Sequence, residues 1–94
     1  MKHVGHTTKQ MLEAPQNAIY VWCSNDIGYA KWLAKKLGRE DLRIVSPYWL
    51  ESARWRGLEP SGLVLDHAYF PTNIDQMDAI TSIRYRMSRS ARKP

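Results

Sequence analysis

Apolar residues fall in short blocks along this chain, and the spacing within the blocks alternates between two periods. Ala18–Cys23 (AIYVWC) is rich in β-branched and aromatic residues and reads as a buried strand. Leu42–Val45 and Gly62–Asp66, the latter centred on Leu63-Val64-Leu65, are two further short runs of the same kind. Between the runs the spacing becomes helical. Ile27, Ala30, Leu33, Ala34 and Leu37 form one stripe with Lys31, Lys35 and Lys36 off it; Ser24-Asn25-Asp26 and Gly38 offer caps at its two ends. Ser46-Pro47 opens another helix, because serine caps and proline in the first turn sacrifices no hydrogen bond. That helix is expected to run to about Trp55, with Trp49, Leu50 and Ala53 on one face. Thr7–Ala14 predicts a short first helix stopped by Pro15. Thr72-Asn73-Ile74-Asp75 reads as a capping box for a last helix striped by Ile74, Met77, Ile80, Ile83 and Met87.

The resulting order is α-β-α-β-α-β-α. Strands that alternate with helices predict a parallel sheet, since each crossover must return to the same end of the sheet. The fold class expected is therefore α/β: a small three-stranded parallel sheet near 18–23, 42–45 and 62–66, flanked by helices. The length supports one domain, expected over residues 1–87, followed by a basic tail over 88–94.

Charge changes this picture at one end only. The formal charge is +5. Residues 1–78 carry nine Lys/Arg and nine Asp/Glu, whereas residues 79–94 carry Arg84, Arg86, Arg89, Arg92 and Lys93 and no acid. An unopposed basic end points to nucleic acid or an acidic protein surface as partner, or serves as a solubilising terminus. Arg54 and Arg56 flank Trp55, and an exposed aromatic between arginines suits base stacking. Trp55 is expected to stand outside the Trp49/Leu50/Ala53 face and is the exposed tryptophan of choice. No apolar run spans a bilayer, and Met1-Lys2-His3-Val4 has no secretory character. The single cysteine, Cys23, excludes an internal disulfide. A cytoplasmic protein with no membrane partner is the expectation.

Two motifs bear on chemistry. Val4-Gly5-His6-Thr7-Thr8-Lys9 resembles the end of a Walker A loop, and Gly62-Leu63-Val64-Leu65-Asp66-His67 resembles a Walker B strand. In P-loop NTPases glycine lets the backbone approach phosphate, a lysine neutralises it, and a hydroxyl and an aspartate serve Mg²⁺. The resemblance, to helicase-like and terminase-like cores, covers roughly residues 4–70. It implies a P-loop-like, Rossmann-like scaffold with a degenerate phosphate site at Gly5, His6, Thr7, Thr8 and Asp66. In this trimmed form the chain resembles a bacteriophage accessory protein. His6 stands where the lysine belongs and His67 where the catalytic glutamate often sits, so unaided hydrolysis is not expected. No catalytic residue, cofactor or metal is assigned. His6 and His67 converge if the two motifs face each other. A second resemblance is carried by Ile44-Val45-Ser46-Pro47-Tyr48-Trp49-Leu50, which is similar to the signature of BRCT domains and implies a protein-binding module.

These readings leave two kinds of function. One is a non-catalytic binding protein for nucleic acid or for a host or viral protein, in the latter case as an inhibitor. The other is a nucleotide-binding, NTPase-like subunit that a partner completes.

Overall fold

The computed structural model describes residues 5–91, with side chains through Arg89. Its elements are α1 (His6–Glu13), β1 (Ile19–Val21), α2 (Gly28–Lys36), β2 (Arg43–Val45), α3 (Pro47–Glu51), a 3-10 turn (Arg54–Gly57), β3 (Leu63–Leu65) and α4 (Ile74–Ala91). The three strands are parallel and ordered β2-β1-β3. Ile19 stands opposite Arg43 on one side and Leu63 on the other, so the register of the whole sheet is in step. The parallel α/β arrangement expected from the alternating periods is thus present.

Strand side chains alternate, and each alternate set finds its own helices. Ile19, Val21 and Val45 pack with Leu50 of α3, Trp55 of the 3-10 turn and Ala79, Ile80 and Ile83 of α4. Ala18, Tyr20 and Ile44 pack with Met11 of α1 and Ala30 and Ala34 of α2. Helices therefore cover both faces of the sheet, which suits strands as apolar as these. β1 is the centre of both layers, with Tyr20 and Val21 fully buried.

Local chemistry fixes the element ends. Gly38 adopts φ +74°, its N–H meets Lys35 O and the next N–H meets Ala34 O, a Schellman stop that favours glycine. Ser46 Oγ accepts from the Trp49 N–H at 3.1 Å, with Pro47 in the first turn. The end of α1 is closed from a distance. Arg39 donates to the carbonyls of Met11 (2.6 Å), Leu12 (3.3 Å) and Pro15 (3.2 Å), while Asp41 holds its guanidinium. The same guanidinium, with the Asn17 N–H, holds the Asp41 carboxyl well below the usual carboxylate range. At the start of β3 a Cβ on Gly62 would stand 2.7 Å from Pro15 Cγ, so only glycine lets the strand pass this ring.

Two expectations need correction. The helix after Ser46 does not reach Trp55. It ends at Glu51, Ala53 turns left-handed at φ 63°, and the chain resumes as the 3-10 turn. The last helix is capped one residue later than expected. Asn73 is the cap: its Oδ1 accepts from the Gln76 N–H at 2.9 Å, while Gln76 Oε1 accepts from the Thr72 N–H at 3.2 Å. The helix α4 itself runs to Ala91, into the basic segment. Arg92 and Lys93 lie outside the described residues.

Candidate functional site

In an open parallel sheet, ligands usually enter beyond the carboxyl ends of the strands, where successive connections leave in opposite directions. Here that place lies beyond β1 and β3, and the start of α1 fills it. Asp66, one residue past β3, is 1% exposed. Its Oδ1 accepts from the Tyr20 hydroxyl at 2.6 Å and from the Thr7 hydroxyl at 2.9 Å. Its Oδ2 accepts from the Ala68 N–H at 3.0 Å. Gln10 closes the same junction: its amide donates to Leu65 O at 2.9 Å and its carbonyl oxygen accepts from the His67 N–H at 2.7 Å. The two motifs at Gly5–Thr8 and Asp66 are therefore adjacent in space, 59 residues apart in sequence at the Thr7–Asp66 contact.

The geometry defines what this junction does. A carboxylate has about four acceptor sites, and three of those on Asp66 are taken by the chain itself. A ligand oxygen or a water reaches Asp66 only by displacing Thr7 or the loop after β3. His6 and His67 do face each other, ring centroids 5.0 Å apart, and His67 Nε2 lies 4.0 Å from Asp66 Oδ2. Both imidazoles are exposed. Gly5 precedes α1 at φ 45° and Thr8 is half-buried. Among the described residues no three His, Cys, Asp or Glu side chains gather as metal ligands.

Tyr20 and Gln10 carry this junction, and no sequence motif marks either. Tyr20 reads as one more apolar strand residue. Burial first, then its hydrogen bond to Asp66, raises the Tyr20 hydroxyl far above the usual tyrosine value of 10.0, so it stays a donor. Burial and the Glu51 charge raise Tyr69 as well. Unfolded tyrosine releases its proton above pH 10, while folded Tyr20 retains it. The stabilisation from Tyr20 is therefore complete below pH 10 and declines as pH rises further, by about 1.4 kcal/mol per pH unit. Urea unfolding should show the stability gap between wild type and Tyr20→Phe narrowing above pH 10 and constant between pH 7 and 9.

A second cluster forms on the opposite face of the sheet. Trp55, expected to be exposed, is 8% exposed. The left-handed turn at Ala53 re-aims it inward, and its Nε1 donates to Leu50 O at 2.8 Å. Its ring is therefore closed to stacking with bases. Instead the Arg56 and Arg86 guanidinium groups lie over it, 5.6 and 6.0 Å from the ring. Arg86 also donates to Arg56 O, joining α4 to the 3-10 turn. Arg89 lies 5.9 Å over Tyr85, which is 63% exposed. Trp55, Arg56, Ser82, Tyr85 and Arg86 line an open depression of about 430 Å³. Arg54 is exposed on the same turn. Arg84 does not join, because two residues along a helix place it about 200° from Arg86.

The chain matches no family model, no curated protein and no solved structure.

Among the described residues no helix is long and apolar enough to cross a membrane.

Proposed function

We propose that this chain is a non-catalytic binding protein on a reduced P-loop-like scaffold, and that it binds the phosphate backbone of nucleic acid. One observation carries the reading: Arg56, Arg86 and Arg89, from two separate elements, converge over Trp55 and Tyr85 on one face. Arg56 and Arg89 are exposed there, and a guanidinium that rests on an aromatic ring loses little freedom on binding. The acid-free run after residue 78 adds to the attraction. The junction at Asp66 fits the non-catalytic half of the reading, since its carboxyl is occupied by Tyr20, Thr7 and Ala68.

A second reading, a nucleotide-binding subunit completed by a partner, is favoured by the Thr7–Asp66 contact at the start of α1. One set of titrations separates the two. Fluorescently labelled oligonucleotide is titrated with wild type and with Arg54→Gln/Arg56→Gln/Arg89→Gln at low salt, beside ATP and GTP with Mg²⁺. The triple variant should bind the oligonucleotide at least about tenfold more weakly, whatever its base sequence. Equal affinity overturns the nucleic-acid reading. Nucleotide bound by wild type but no oligonucleotide would favour the second.

A further inference from the structure

The α2 side of the sheet carries a surface that neither motif touches. Trp22, just past β1, Tyr29 and Trp32 form a row, with ring centroids 6.0 Å apart between Trp22 and Tyr29 and 5.8 Å apart between Tyr29 and Trp32. Tyr29 is 58% and Trp32 54% exposed, although large aromatics in a small domain usually fill its core. The helix explains the placement. Ala30 and Ala34 turn to the sheet, which leaves Tyr29, Trp32 and Lys36 on the outer side. Lys36 Nζ lies 5.8 Å over the Trp32 ring. Lys31 and Lys35 are exposed on the other flank of Trp32, and Gly28–Lys36 contains no acid.

We infer that this row is a base-stacking platform for single-stranded nucleic acid. Three properties select that occupant. Ring faces in sequence accept successive bases without regard to their identity, because every base has a π-face. Lysines beside the rings match a backbone that passes alongside the stacked bases. A duplex keeps its bases stacked on one another and presents them no free face, so this row discriminates for the single strand. A protein partner with an apolar surface would bring three exposed lysine charges, Lys31, Lys35 and Lys36, into its contact, and lysine is depleted at such interfaces. The platform lies on the opposite face of the sheet from the arginine cluster and does not depend on it.

The test uses a labelled oligothymidylate of about 15 nucleotides and a mixed-sequence duplex of the same length. Proteins are wild type, Trp32→Ala, Tyr29→Ala/Trp32→Ala and Trp32→Phe. Trp32 is exposed, so an unchanged melting temperature is expected and is measured first. Trp32→Ala should weaken oligothymidylate binding about 5-fold or more, and the double variant further. Trp32→Phe should recover most of the loss, and duplex binding should stay within twofold throughout. Equal loss for single strand and duplex would make the surface a charged contact and overturn the stacking role, as would no loss at all. A wild-type dimer broken by Trp32→Ala, with no single-strand binding, would assign the row to a second copy of the chain and equally overturn it. The arginine triple variant is run in parallel. If it binds like wild type while Trp32→Ala does not, the arginine reading fails and the platform stands. If the triple variant loses binding while Trp32→Ala keeps it, the platform fails and the arginine face stands.

Discussion

Replacing Asp66 by alanine should remove a large share of the protein's stability. The carboxyl is buried and receives the Tyr20 and Thr7 hydroxyls and the Ala68 N–H. Its loss leaves three donors without an acceptor, and each buried donor left unpaired costs about 1–3 kcal/mol. Because Thr7 is only half-buried and water can reach it, the total should be about 3–5 kcal/mol, against a stability of about 5–10 kcal/mol for a domain of this size. A double-mutant cycle identifies the cause. In the wild-type background Tyr20→Phe should cost about 1.5–3 kcal/mol, as for a hydrogen bond to a charged group. In the Asp66→Ala background it should cost little or nothing, because the unpaired hydroxyl is then gone. Additive losses in denaturant unfolding would show that the two side chains act separately. Asp66→Asn is no harmless control, since its amide group presents a donor to Tyr20 or to the Ala68 N–H.

Trp55→Ala should produce a loss of similar size, about 3–5 kcal/mol. The indole fills the space between α3 and α4 beside Leu50 and Ile83, its N–H is bound to Leu50 O, and two guanidinium groups rest on its ring. Trp32→Ala, on the exposed face of α2, should by contrast change stability by less than about 1 kcal/mol. Thermal unfolding of the two variants side by side tells a core tryptophan from a surface one. A Trp55→Ala protein as stable as wild type would contradict the inward orientation set by Ala53.

That contrast also shows what the sequence reveals. The strands are legible because apolar runs such as Ala18–Cys23 leave no polar face. The stops at Gly38 and Ser46-Pro47 are legible because glycine at positive φ and a serine cap have chemical reasons. The break after Glu51 is not, since an alanine in the left-handed region, as Ala53 is, bears no sequence mark. A helix carried on past Glu51 puts Trp55 outside, and the real turn puts it inside. Trp32 does bear a mark: it lies off the Ile27/Ala30/Leu33/Ala34/Leu37 stripe, among Lys31, Lys35 and Lys36, where a helix exposes its side chains. The Asp66 junction is half legible. Hydroxyl and aspartate stand out in their motifs, but Tyr20 joins them only through the register of β1 against β3, in which Val21 lies opposite Leu65. That register is a product of packing, which no local pattern encodes.

Phosphate binding at the arginine face implies that affinity is governed by release of counterions. The most direct measurement is therefore the slope of log K against log salt concentration for wild type and for Arg54→Gln/Arg56→Gln/Arg89→Gln, on one single-stranded oligonucleotide between about 50 and 200 mM salt. Wild type should show a steep negative slope, and the triple variant a slope shallower by about 2, as expected when three phosphate contacts at roughly 0.7 each are lost. A wild-type slope near zero, or identical slopes for the two proteins, would contradict phosphate binding at this face.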